Sequence, residues 1–379
     1  MSTWPGKYVI GLTGNIATGK SVVRKMLEHL GAYGIDADAL GHRAIAKDAP
    51  GYQPVLENFG RWVLGEGEQI DRTKLARVVF ADPDALKILE SIVHPLVRQA
   101  VDMLIRRSQQ QVIVVEAIKL IESPLHQGCD GIWVTHASTE AQLVRLMQKR
   151  GMSEEAARQR ITSQAPQDEK LSVANVVIRN DSSFEDTWRQ VVAAWQKHIP
   201  SVPAETGPLQ PATAAPGQLL VEKARPRQAA EIAGFITRIS GGARRLSPSD
   251  IMAAFGEKAF ILLKANNQAV GIVGWQVENL VARTDDVYLE AGLSLEKAMG
   301  PLLEEVESAS RDLLCEASLL FLPTRMAQQI EVWRNLGYEA RSVENLGVRA
   351  WQEAAQETLA GGEVMLFKQL RKDRVLRPV

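Results

Sequence analysis

The chain has 379 residues, 45% of them hydrophobic, with 44 Lys+Arg against 45 Asp+Glu and a formal net charge of −1. That length suits two or three globular domains, each burying its own core, and a charge balanced in both halves argues against nucleic acid as the main partner. Cys129 and Cys315 stand far apart with no metal-type spacing, and there is no apolar run of about 18 residues. Two small buried cysteines, no membrane span and a reducing cytoplasm are therefore expected.

An apolar stretch, Tyr8-Val9-Ile10-Gly11-Leu12, is expected to enter a strand within ten residues of the start, so no signal peptide is expected. Residues 14–21 then read Gly14-Asn15-Ile16-Ala17-Thr18-Gly19-Lys20-Ser21, the phosphate-binding loop pattern. A helix is expected over 20–30, with Val22, Val23, Met26, Leu27 and Leu30 on one face and Gly31 as its stop. Strand, loop and helix together aim backbone N–H groups and a positive helix end at phosphate oxygens. Lys20 would reach the β- and γ-phosphates, and the Ser21 hydroxyl would ligate Mg²⁺. The bland alternative is a glycine turn with a solvated lysine.

Further strands are expected at 33–36, 111–117, 131–137 and 176–179, and helices at 39–47, 73–79, 83–108, 139–150, 154–164 and 184–198. Thr139 with Gln142 suggests a capping box. Strands alternating with helices, several apolar at consecutive positions, imply an α/β fold with a parallel sheet. In such sheets ligands bind beyond the C-terminal strand ends, where the phosphate loop lies.

Asp36-Ala37-Asp38 follows a short strand expected to lie beside the first. Phosphoryl transfer to an alcohol needs a carboxylate to accept the hydroxyl proton, and Asp38 is the candidate. Asp36 would orient the loop or contact the metal shell. Equally, either aspartate would simply cap the next helix. A basic helix carries Arg145, Lys149 and Arg150, with Arg158 and Arg160 following. An arginine here would close over the nucleotide phosphates, and the competing reading is a solvated helix face. The guanine-reading Asn-Lys-x-Asp is absent from the sequence.

These segments in this order resemble dephospho-coenzyme A kinase, the last enzyme of coenzyme A synthesis. Gly11-Leu12-Thr13-Gly14 with Gly19-Lys20-Ser21 resembles the family's opening, and Gly34-Ile35-Asp36-Ala37-Asp38 its Asp-Ala-Asp segment. Asp71-Arg72, Leu75, Val79-Phe80, His94-Pro95, Gln142-Leu143, Arg145, Arg150, Ile161, Gln164, Val177-Ile178 and Asn180 continue the match in order. The resemblance implies a P-loop kinase that binds ATP through residues 14–22, Val22 included. It also implies Asp38 as a catalytic and acceptor-side residue, Arg145 on the ATP side and Asn180 near the adenine. Asp36 and His94 fall on the acceptor side, although His94-Pro95 by itself reads as a helix stop. Two departures stand out. The family's Pro-Leu-Leu is replaced around Ala117-Ile118-Lys119, and its Ala-Asp by Ala174-Asn175. Lys119 either touches an anionic substrate or is solvated.

Pro200, Pro203, Pro208, Pro211 and Pro216 mark residues 200–217 as a linker with a reach of about 50 Å. It separates an expected kinase domain, 1–199, from a second domain, 218–379. There the expected order is a strand from Leu219, a helix, a hairpin over 260–275, a strand over 287–293, helix 296–314, strand 318–322, helix 324–336 and strand 363–368. This order resembles the α+β GNAT-type N-acetyltransferase fold, with Leu336-Gly337-Tyr338 ending the helix before its sixth strand. The expected pyrophosphate cradle, Ser294 to Gly300, has too few glycines, and Glu290 and Glu296 would repel a pyrophosphate. Acyl-coenzyme A binding or a structural role is thus favoured over acetyl transfer, and Tyr338 is read as core. The rival readings are a bifunctional kinase and acetyltransferase, a different P-loop small-molecule kinase, or a regulatory protein whose loop only binds nucleotide.

Overall fold

The computed structural model describes residues 3–199 and 219–372. The expected linker lies outside the described residues. By compactness the described chain forms two units, one of residues up to 20 with 33–181, the other of 21–32 with those from 182 to 372.

The first unit is built on strands β1 (Tyr8–Thr13), β2 (Tyr33–Asp36), β3 (Val112–Glu116), β4 (Gly131–His136) and β5 (Val176–Arg179). The helices of residues 1–199 are α1 (Lys20–His29), α2 (Ala37–Ala44), α3 (Tyr52–Phe59), α4 (Arg72–Ala81), α5 (Pro83–Arg107), α6 (Thr139–Arg150), α7 (Glu154–Thr162), α8 (Gln167–Ser172) and α9 (Phe184–His198). All five strands are parallel, in the order β2-β3-β1-β4-β5. The α/β parallel sheet is as expected, but β2 does not lie beside β1. It pairs with β3, which stands between them. The reason is burial: all five residues of β3 (Val-Ile-Val-Val-Glu) are buried, so this most apolar strand takes an interior place.

Local chemistry explains the boundaries. Asp36 caps α2, its Oδ1 accepting from Ala39 N at 2.8 Å, and Asp71 caps α4 through Thr73 N and Lys74 N. The expected capping box at Thr139 is displaced by one residue: Ser138 is the N-cap, accepting from Ala141 N, and Gln142 donates instead to Ala137 O. Pro95 does not stop α5, which runs through it to Arg107. Helix α3 and the six-residue α8 were not expected. A core of Ile45, Val55, Val63, Ile70, Leu75 and Val79 joins α2, α3, α4 and the segment between them.

The second unit carries β6 (Leu219–Lys223), α10 (Ala229–Ile239), α11 (Pro248–Ala254), β7 (Ala259–Ala265), β8 (Gln268–Glu278), β9 (Val281–Leu289), α12 (Leu295–Asp312), β10 (Ala317–Pro323), α13 (Thr324–Ala327), α14 (Ile330–Asn335), β11 (Glu339–Ala340), α15 (Arg349–Thr358) and β12 (Glu363–Gln369). The sheet order is β11-β12-β10-β9-β8-β7-β6, and only the β9–β10 pair is parallel. This is the mixed sheet expected of a GNAT-like α+β domain. Asn266 and Asn267, both left-handed, close the β7–β8 hairpin. Strand β9 begins six residues before its expected start, because Asn279 and Leu280 form a second left-handed turn without glycine. The expected helix 324–336 is two short helices, and α15 was not expected. In the same unit Lys25 of α1 donates to Val277 O at 2.9 Å, and the His29 ring lies 2.8 Å from Phe255 O.

Candidate active site

The phosphate loop follows β1, the central strand of the parallel sheet. Both of its glycines are required by space. A Cβ on Gly14 would stand 2.5 Å from Thr135 O, and one on Gly19, at φ +94, would overlap the Asn180 amide. Ala17 also takes a left-handed conformation, φ 57. It is held there by Arg145, whose Nη1 donates to Ala17 O at 3.0 Å while Nη2 donates to Asn180 O at 2.5 Å. Asn180 Nδ2 donates to Thr18 O at 3.0 Å, so Arg145 and Asn180 brace opposite ends of one short stretch. The Thr18 and Thr135 hydroxyls are 2.8 Å apart, Ile16 N donates to Gln164 Oε1, and Asn15 Nδ2 to Ala165 O. Buried Asn15 Oδ1 has no hydrogen-bond partner.

Lys20 is 8% exposed, and its Nζ donates to Gly14 O at 3.0 Å. Burial lowers its pKa, against the pull of Glu116 and Asp38, which favour the cation. Asp38 lies in the first turn of α2, but it is Asp36, two residues before it, that caps that helix. Asp38 reaches across to the end of β3, where Oδ2 accepts from Ile118 N at 3.0 Å. Burial raises its pKa, with the Ile118 bond, Lys20 and Lys170 acting in the opposite sense. A half-buried carboxylate with a raised pKa near a buried lysine suits acid–base chemistry.

The other expected residues fall as follows. Ser21 is exposed at the start of α1 and Val22 half-buried behind it. Arg158 pairs with Glu154 on a solvated face, as the bland reading of the basic helix holds, while Arg145 turns inward. The side chain of Arg150 is outside the described residues. His94 lines a cavity of about 430 Å³ along α5 with Val97, Arg98, Ser123 and Leu125, and no phosphate-loop residue nor Asp38 is on its walls. Lys119 pairs with Glu90 at a half-exposed position. Asn175, the second departure, accepts from Ile132 N at 2.7 Å and so steadies the start of β4.

Two residues were missed. Glu116 is a buried acid at the end of β3, and an acid ending an apolar strand was the available signal. Lys170 on α8 is 5% exposed and donates to Ile118 O at 2.8 Å; nothing in its polar surroundings, Asp168-Glu169-Lys170, marks it as buried.

Sheet order and phosphate loop define the class: a P-loop α/β nucleotide-binding domain, joined to a second α+β domain with a mixed sheet. Residues 8–186 match the family described as dephospho-CoA kinase. A dephospho-CoA kinase of Geobacter metallireducens is 42% identical over 198 residues, 52% of this chain and 98% of that protein. The chain belongs to the dephospho-CoA kinase family. Among solved structures, a dephospho-CoA kinase from Campylobacter jejuni is similar at 27% identity and TM-score 0.36, covering 50% of this chain and 96% of that one. An acetyltransferase of the GNAT family from Streptococcus pneumoniae is similar at 16% identity and TM-score 0.32, covering 40% of this chain and 99% of that one.

Proposed function

We propose that this protein transfers the γ-phosphoryl group of ATP to the ribose 3′-hydroxyl of dephospho-coenzyme A, with the chemistry in residues 1–199. The observation that carries the reading is Asp38, a half-buried carboxylate held by Ile118 N and within electrostatic reach of the phosphate-loop lysine. Asp38 orients the acceptor hydroxyl and takes its proton as the oxygen attacks phosphorus. The bond from γ-phosphorus to the bridging oxygen breaks, and ADP leaves with that electron pair. Lys20 holds the β- and γ-phosphates and offsets charge gathering on the bridging oxygen.

Glycine at positions 14 and 19 lets the loop close against Thr135 and Asn180, the tight path by which a loop before a helix start offers N–H groups to phosphate oxygens. Arg145 and Asn180 border the nucleotide, and Asp36 sets the start of α2 so that Asp38 faces the loop. The exposed Ser21 hydroxyl fits a hard cation, and Mg²⁺ bound there would neutralise charge on the β- and γ-oxygens. A cytoplasmic location agrees with the two unpaired cysteines, of which Cys129 has its thiol pushed up to about 12 by burial. The test is ADP release from ATP with and without dephospho-coenzyme A; release that ignores the acceptor would reject the reading.

For the second domain we propose a binding or structural module, with an acyl-coenzyme A as the candidate ligand. Glu296 in the first turn of α12 opposes a pyrophosphate at that helix start. Tyr338 is buried, hydrogen-bonded to Ser318 at 2.9 Å, and burial pushes its pKa up, so it serves the core rather than proton transfer. Calorimetric titration of acetyl-coenzyme A into the full chain checks this: micromolar binding that persists beside saturating dephospho-coenzyme A would place a ligand site here, and no such heat would leave the structural role.

A further inference from the structure

The phosphate-loop region holds a second buried lysine besides Lys20. Lys170 comes from α8, which precedes β5 in the chain, and its Nζ donates to Ile118 O at 2.8 Å. The same peptide segment carries Ile118 N, which donates to Asp38 Oδ2 at 3.0 Å. Thr13, the last residue of β1, adds its hydroxyl to Ile118 O at 3.1 Å. Residue 118 is thus gripped at its carbonyl by a buried cation and a strand-end hydroxyl, and it grips the carboxylate at its amide. Burying an ammonium group is costly unless it is compensated, and Lys170 Nζ spends its hydrogen bond on a backbone carbonyl in the active site.

We propose that Lys170 is a positioning residue for phosphoryl transfer: through the Ile118 backbone it holds the Asp38 carboxylate in place and keeps a second positive charge facing it. This rests on the reading of Asp38 as the proton acceptor. The charged groups around Asp38 are Lys20 from the loop, Glu116 from β3 and Lys170 from α8, and Lys170 itself also faces Glu122 and Glu169. The hydrogen bond of Lys170 goes to Ile118 and not to the phosphate loop. Its loss is therefore expected to act on turnover rather than on ATP binding. Lys170 binds the carbonyl of Ile118, within the segment 117–119 where the chain departs from the family's pattern.

The test uses the full chain with Lys170→Met, Lys170→Gln and Lys170→Arg, measuring kcat, the KM for ATP and the acid limb of kcat/KM against pH, with Asp38→Asn in parallel. Lys170→Met is expected to lower kcat by about tenfold or more, to leave the ATP KM within about twofold, and to move the acid limb to higher pH. Lys170→Arg, which keeps the charge and a donor, is expected to recover most of kcat. Should the methionine variant not fold, the glutamine and arginine variants decide: a low kcat with Gln and recovery with Arg supports the proposal. Wild-type kcat in both the Gln and Met variants, or an arginine variant as impaired as glutamine with the same acid limb as wild type, overturns it. An active Asp38→Asn would instead reject the proton-acceptor reading, whatever the Lys170 variants do.

Discussion

Both halves of the molecule bury charges, and they treat them differently. At the end of the parallel sheet, Lys20 and Lys170 have pKa values lowered by burial, and Asp38 has one raised by burial. There desolvation prevails over the partners present. In the second unit, burial alone would lower Lys258, yet Asp285 and Asp286, at 2.6 and 3.0 Å, raise it, and Lys258 and Arg244 hold Asp286 low. Of the two carboxyls, only Asp285 stays above its ordinary value, through burial. In the first set burial outweighs the nearby charges, and in the second the ion pairs outweigh burial at Lys258 and Asp286. Groups whose pKa is shifted by burial in a cleft are candidates for function, whereas closely paired charges more often build structure.

The largest break in this contrast comes from Asp38→Asn, expected to lower kcat by about 10²–10⁴-fold with little change in ATP affinity. Unchanged turnover would remove Asp38 from the mechanism. Lys20→Ala is expected to cost about 10³-fold in kcat, measured by the same coupled ADP assay. Lys258→Met should instead destabilise the fold by about 3 kcal/mol in chemical denaturation, by leaving half-buried Asp285 without its cation and Asp286 with Arg244 alone, while kcat stays at the wild-type value in the folded protein. Gly19→Ala should raise the ATP KM by about tenfold, since the added Cβ displaces Asn180 from Thr18 O. The pH dependence sharpens the comparison most finely. Asp38 accepts a proton only when ionised, and its pKa is raised, so kcat/KM should fall on the acid side with a midpoint above the ordinary aspartate value of about 3.9.

Much of this was legible beforehand because it rests on local rules. The phosphate loop is a spacing pattern, and apolar runs such as Val112–Glu116 announce strands buried on both faces. What escaped depended on long-range pairing. That β3 separates β2 from β1 follows from how the whole sheet is wound, which no local window contains. Asp38 nevertheless reaches the site, since the residue it binds, Ile118, follows that intervening strand. Lys170 escaped because a lysine between acids in a six-residue helix looks solvated, and only tertiary packing buries it. The early start of β9 escaped because its turn uses Asn279 and Leu280 where glycine is the usual sign.

The central claim is that this site moves a phosphoryl group onto a ribose hydroxyl. Incubating the full chain with γ-labelled ATP, Mg²⁺ and dephospho-coenzyme A, then locating the label by mass spectrometry and ³¹P NMR, tests it most directly. Label on the ribose 3′-oxygen, formed by wild type and lost in Asp38→Asn, is the expected result. Label released only as inorganic phosphate, at a rate indifferent to the acceptor, would contradict it.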